Sequence, residues 1–199
     1  MTLVTVIVPA RNEEGALAGA LNSVLTQTFP ANATEVVVVD GASDDETATV
    51  AKHILDGSAL HRWAVLSNVQ ATTPSNLNVG LAWARGDVIV RVDARSQIPP
   101  DYVERAVRLL RTEEIAVVGG RQVAVADNDG LVARSIARAL NNPFSNGGAR
   151  YRDHRARSGP CDTAYLGVFR TSQLRSLGGW NLDFGSNQDF ELSRRIGRL

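Results

Sequence analysis

Short valine-rich runs, apolar on both faces, alternate with helical patterns over the first 120 residues, and few folds accept that combination. The runs cover residues 4–8, 35–40, 63–66, 88–92 and 115–118. A strand apolar on one face can border solvent, whereas one apolar on both needs cover above and below. The intervening segments supply it. Leu17, Ala20, Leu21 and Val24 recur at helical spacing, and so do Val103, Ala106, Val107 and Leu110. Ser43 with Glu46, and Asp101 with Glu104, have capping-box spacing, and Thr73 before Pro74 reads as an N-cap followed by a first-turn proline. This rhythm predicts an α/β fold with a mainly parallel, Rossmann-like sheet, right-handed crossovers and helices on both faces.

The rhythm breaks near Val125. A helix is predicted over residues 131–140, then a loop rich in glycine, asparagine and arginine over 141–160. An apolar strand over 163–169, a short helix, the turn LGGWN and a helix opening at NQDFEL complete the chain. The 199 residues suit one domain with a single core. The last helical pattern runs to Leu199 without a C-cap glycine, so a longer protein is expected.

A formal net charge of zero gives no reason to expect a nucleic-acid partner. Cys161 is the single cysteine, which leaves no internal disulfide and no cysteine zinc site. No basic stretch precedes the first apolar run, so no signal peptide is read. No window reaches the roughly 18 apolar residues of a spanning helix. A soluble, cytoplasmic setting is expected, with any membrane attachment left to segments outside these residues.

In an open α/β sheet, ligands bind beyond the carboxyl ends of the strands. Those ends read PARNEE, DGASDDE and DARS, and they offer Arg11, Asn12, Glu13, Asp40, Ser43, Asp93 and Arg95 to one crevice. Such a mixture suits a ligand with a hydrogen-bonding ring and an anionic tail. Blander readings stand beside this one. Asp44, Asp45 and Glu46 can serve the helix dipole, as can Asp189 and Glu191 with Asn187 as cap. Asp40 can be a turn former, Asp93 and Arg95 a local ion pair, and Arg91 a snorkelling side chain. The arginines between Arg150 and Arg157 read as a solvated loop, or as a lure for an anionic acceptor.

The blocks TVIVPARNEEGAL, EVVVVDGASDDET, LNVGLAWARGDVIVRVDARSQIPPDYV, DTAYLGVFR and GGWNLDFGSNQDFELSRRI carry a resemblance that runs from residue 3 to the end. In this order they resemble family 2 glycosyltransferases of the GT-A fold, and most of all the succinoglycan-type exopolysaccharide branch. The resemblance implies an inverting hexosyltransferase that moves sugar from a nucleotide-diphosphate sugar, usually a UDP-sugar. The implied acceptor is a saccharide or a lipid-linked glycan, at the inner face of the cell membrane. Pro9, Arg11, Glu13 and Asp40 would line the nucleoside pocket, and Asn78 would lie on its pyrophosphate side. Asp93, as the first carboxylate of the DxD motif, would hold Mg²⁺ or Mn²⁺ and the donor diphosphate. Asp189 would be the general base. Residues 1 to about 120 would then form the nucleotide-sugar half, and about 121 to 199 the acceptor and base half.

The chemistry fits those roles. Inversion in one step needs a base opposite the departing diphosphate. That leaving group needs positive charge placed beforehand. Two positions depart from the family pattern. Arg95 stands at the third DxD position and cannot ligate a metal, because its guanidinium stays protonated. Either Asp93 and water hold the metal alone, or Arg95 bonds the diphosphate directly. Gln188 replaces the glutamate usual before the base. A non-catalytic nucleotide-sugar-binding domain and a sugar-phosphate nucleotidyltransferase are the alternatives, although the latter's GxGxR loop is missing from PARNEEG. A dinucleotide dehydrogenase is set aside, since no GxGxxG follows the first strand.

Overall fold

The computed structural model describes residues 2–112, 114–126, 128–142, 150–152, 157–161 and 163–197. Its elements follow the order β1 (Val4–Ala10), α1 (Leu17–Leu25), β2 (Thr34–Asp40), α2 (Thr47–Leu55), β3 (Arg62–Ser67), α3 (Thr73–Trp83), β4 (Val88–Arg91) and α4 (Tyr102–Leu110). Then come β5 (Val117–Val118), α5 (Leu131–Leu140), β6 (Val168–Arg170), α6 (Thr171–Ser176) and α7 (Gln188–Ile196). The six strands form one sheet in the order β3-β2-β1-β4-β6-β5. The first four are parallel, and β6 runs antiparallel to both β4 and β5.

Alternation along the strands explains the layers. Val6, Val8, Val36 and Val38 point to one face, where they pack with Leu17, Leu21, Leu55 and Val103 of the helices α1, α2 and α4. Ile7, Val37, Val39 and Ile89 point to the other, against Leu77, Leu174, Leu192 and Ile196 of α3, α6 and α7. All seven residues of β1 and all seven of β2 are buried, so a one-residue slip in register would exchange the two cores. Gly80 lets α3 lie directly on β1, because a Cβ there would sit 2.4 Å from Ile7 Cγ2. Among the described residues, no helix is long and apolar enough to cross a membrane.

Several expectations are corrected. The strand expected over residues 163–169 is only Val168–Arg170. The chain leaves the ladder at Leu166, whose φ of 48° lies in the left-handed region. The strand expected over 115–118 shortens to Val117–Val118. Neither expected capping box forms a side-chain cap bond at α2 or α4. The cap of α3 is Thr72, one residue before the expected Thr73, and its hydroxyl accepts from the Ser75 N–H at 3.4 Å. The helix expected over residues 131–140 is present with those bounds, and none of its residues is buried. The loop expected over 141–160 lies partly outside the described residues.

One feature of the sheet creates the crevice. From β1 the chain proceeds outward to β2 and β3, then crosses back to place β4 on β1's other edge. Parallel sheets open beyond their carboxyl ends at such a reversal. Pairing of β1 with β4 ends at Ile7 and Arg91, whereas pairing with β2 continues to Ala10 and Asp40. Pro9 lies past the last β1–β4 pair, so its missing N–H breaks no ladder bond there.

Candidate active site

The loop after β1 and the loop after β2 are laced together at the mouth of this crevice. Asn12 N–H donates to Ser43 Oγ at 2.9 Å, and Asn12 Oδ1 accepts from Asp44 N–H at 2.9 Å. Glu13 N–H donates to Thr47 Oγ1 at 2.8 Å, and Glu14 N–H donates to Asp45 Oδ2 at 3.1 Å. Asp40 accepts the Ser43 hydroxyl at the end of β2. Ser43 is thereby spent on Asp40 and Asn12, and α2 begins only at Thr47 with Glu46 at the cap position. Asp45 binds its own turn and the Thr47 hydroxyl; α2 has no acid in its first turn, so the helix-dipole reading of Asp44, Asp45 and Glu46 is corrected. Arg11 is exposed beside them.

The crevice floor is organised by Arg91, which is only 4% exposed. Its Nε donates to Asp93 Oδ1 at 2.7 Å and its Nη2 to Asp93 Oδ2 at 3.1 Å. Its Nη1 donates to Asp189 Oδ1, from the first turn of α7. The snorkelling reading of Arg91 is therefore overturned. Ile89 faces the layer that contains α7, and Arg91, two residues on, faces the same way. A cation buried at that position has to meet carboxylates on that side.

These contacts set the ionisation of the cluster. Burial alone would lower the Arg91 pKa, but Asp93 and Asp189 outweigh it and raise it, so the guanidinium stays charged. Burial pushes the Asp189 carboxyl above the ordinary aspartate value of 3.8; Arg91 pulls it back and Asp93 pushes it further up. Tyr165 borders the group, with its hydroxyl 3.0 Å from Ser96 Oγ and its ring stacked on Tyr151 at 5.6 Å. Its phenol is raised by burial first, with Asp93 and Asp189 adding to the shift.

Other expected residues sit differently. Arg95 does not pair with Asp93. Its Nε reaches across the crevice to Glu13, at 2.7 and 2.8 Å from the two carboxylate oxygens. The local ion pair read from the sequence is thus replaced by a clasp between the β1 and β4 loops. Asn78 turns both of its amide atoms to the main chain of Trp180: Nδ2 donates to the carbonyl at 2.7 Å, and Oδ1 accepts the N–H at 2.9 Å. It brackets the GGW turn that leads to α7, and neither amide atom is turned toward Asp93. Asn187 is the N-cap residue of α7, as expected, but it adopts a left-handed φ of 58° and makes no side-chain cap bond. Arg91 and Tyr165 are the site residues that the sequence reading missed. For Arg91 the available signal was a charge in phase with Ile89 on a strand apolar on both faces.

Among the described residues, no group of three or more histidine, cysteine or carboxylate side chains is gathered as for a metal. Mg²⁺ and Mn²⁺ held chiefly by substrate phosphates need only one or two carboxylates. The Asp93 side chain is 32% exposed, and each of its oxygens has spent one acceptor position on Arg91. The residues present fit a cation of that kind, and Asp93 is the side chain that would hold it.

The sheet is thus an α/β fold with Asp93, past the end of β4, and Asp189, from the first turn of α7, gathered on Arg91 at its switch point. The chain belongs to glycosyl transferase family 2, whose family model matches residues 5–175. It is 27% identical over 202 residues to the succinoglycan biosynthesis protein ExoA of Rhizobium meliloti, covering 97% of this chain and 57% of that protein. It spans little more than half the length of that relative. Among solved structures it superposes on a Pyrobaculum calidifontis mannosyltransferase in complex with GDP-Man and Mn²⁺, with a TM-score of 0.73. That match is 23% identical and covers 98% of this chain and 52% of the other. It also matches S. aureus TarS 1-349 in complex with UDP, with a TM-score of 0.71 at 20% identity, over 98% of this chain and 54% of that one. The fold is the GT-A fold.

Proposed function

We propose that this protein is an inverting transferase that moves a hexose from a nucleotide-diphosphate sugar, a UDP-sugar foremost, to a saccharide acceptor, free or lipid-linked, in polysaccharide synthesis. The observation that carries the reading is that Asp189 and Asp93, far apart in the chain, share one buried guanidinium at the switch point. Family membership and the relative named for succinoglycan biosynthesis support the sugar and the polysaccharide. The UDP and GDP-Man complexes of structures with the same fold support the donor class.

In this reading Pro9, Arg11, Glu13 and Asp40 form the nucleoside wall. Asp40 sits buried at the end of β2, where its oxygens accept the Ser43 hydroxyl and N–H and each keeps a lone pair for a ring N–H. Asp93 would hold Mg²⁺ or Mn²⁺, which supplies positive charge at the donor diphosphate. Arg95 stands at the crevice mouth, where it can leave Glu13 for a phosphate oxygen. Asn78 acts by keeping the GGW turn in place below α7. Asp189 takes the acceptor hydroxyl's proton as that oxygen attacks the anomeric carbon. Its raised pKa makes it a stronger base than an ordinary aspartate while Arg91 keeps it fixed. Residues to about 120 form the donor half and residues from about 121 the acceptor half. The work is placed in the cytoplasm, at the inner face of the membrane.

Thermal unfolding tests the reading. UDP at about a hundredfold over its Kd should stabilise by about 2.7 kcal/mol. For a chain of this size that is a rise of about 8 °C. Mn²⁺ should enlarge the rise and EDTA should reverse the enlargement. A UDP shift indifferent to EDTA would remove the metal from the reading. Silence toward UDP-, GDP- and dTDP-sugars alike would end the donor assignment. A binding-only module is the second reading, favoured by Arg95 where a ligand is usual. Release of free sugar from the donor without acceptor separates the two, since a binding module releases none.

A further inference from the structure

Arg91 has five N–H groups in a rigid plane, and three of its nitrogens are committed to the two carboxylates of the crevice. We propose that Arg91 is a positioning residue and the resident cation of the site: it holds Asp93 and Asp189 together before the donor arrives, and it competes with the divalent cation for Asp93. This rests on the reading of Asp93 as the carboxylate that meets the metal.

The geometry gives two consequences. The fork grips both oxygens of Asp93 with Nε and Nη2, so a divalent cation can approach only by taking a remaining lone pair or by turning the carboxylate away. The same plane leaves Nη1 on Asp189, so the base keeps its orientation even after Asp93 turns. Charge points the same way. Two carboxylates and one guanidinium sum to one negative charge, a poor host for a second cation beside the first. A diphosphate adds the missing negative charge. Metal uptake is therefore coupled to the donor, and the base is positioned independently of the metal.

The test is Mn²⁺ binding to the UDP complex, followed by electron paramagnetic resonance of the free ion, together with turnover of donor hydrolysis. Wild type is compared with Arg91→Met and Arg91→Lys, after circular dichroism and UDP affinity have confirmed the fold. Loss of a cation so close to the metal is expected to tighten Mn²⁺ binding by about tenfold or more in Arg91→Met. Its kcat for hydrolysis should fall by about tenfold or more, because the base loses its anchor. In Arg91→Lys, which keeps the charge without the fork, Mn²⁺ should bind about threefold tighter. These opposite changes are what a merely structural role would not produce, since loss of packing weakens metal and donor together. Mn²⁺ affinity that is unchanged or weaker in a folded variant overturns the proposal and leaves the Asp93 reading intact. Mn²⁺ bound by Arg91→Met but not by wild type upholds the competition and ends the metal's part in the native reaction. No binding by either defeats both.

Discussion

Asp189→Asn is expected to cut sugar transfer by about two orders of magnitude or more, the loss that follows removal of a general base. Asparagine keeps the shape of the side chain and an oxygen that can still accept from Arg91 Nη1, so the crevice should stay assembled. UDP affinity should remain near wild type, because the residues proposed for the nucleoside lie at the ends of β1 and β2. Isothermal titration with UDP and a transfer assay read these two quantities separately. A variant that turns over like wild type would sink the assignment of the base. The pH profile gives a second reading of the same group. Asp189 must be ionised to take a proton, so activity rises with pH through its pKa. Burial and the nearby Asp93 charge hold that pKa above 3.8 despite Arg91. The acid limb of kcat/KM should therefore lie above the ordinary aspartate range and be absent from the residual activity of Asp189→Asn.

How much of this site the sequence disclosed depends on the range of the forces involved. β1, β2 and β4 were legible because both of their faces are apolar, a pattern set residue by residue. α5 was legible to its bounds because its amphipathic period needs no partner to be recognised. Where a tertiary bond competed with a local one, the local reading failed. Ser43 has capping spacing, yet two loops that meet in space claim its hydroxyl. Arg95 is two residues from Asp93, yet Glu13 across the crevice takes it. Arg91 was misread for the same reason, since its second carboxylate lies 98 positions away on α7. Asn78 was placed by resemblance, and its bond to Trp180 spans 102 positions. The family pattern named Asp93 and Asp189 from their motifs, and only the packing puts the Arg91 cation between them.

Glu35→Ala should be among the most destabilising single changes in the chain, although it lies far from the crevice. Glu35 is the second residue of β2 and has none of its surface exposed, whereas the crevice lies at that strand's other end. Its Oε2 accepts the Thr5 hydroxyl at 2.7 Å and the Arg85 N–H at 3.0 Å, and its Oε1 accepts Arg62 Nε at 2.9 Å. Arg62 lies 3.6 Å over the Trp83 ring and donates to the Trp83 carbonyl. One carboxylate thus ties β1, β2, β3 and the turn between α3 and β4. Alanine would leave three donors without their acceptor, and breaking a buried pair on one side costs about 3–5 kcal/mol. At about 3 °C per kcal/mol, Tm should fall by about 10 °C. UDP affinity measured well below the new Tm should be unchanged, which separates this effect from a loss at the site. The pH dependence has a definite sign. Burial alone would raise the Glu35 pKa, but bonds from Thr5, the Arg85 N–H and Arg62 outweigh it and hold it below 4.5. A lowered carboxyl contributes its stability in full above the unfolded value and loses it as pH falls through the folded one. Wild type and Glu35→Ala should therefore converge in stability only in acid, below the ordinary glutamate range. Convergence at neutral pH would mean that the carboxylate is not what holds these strands together.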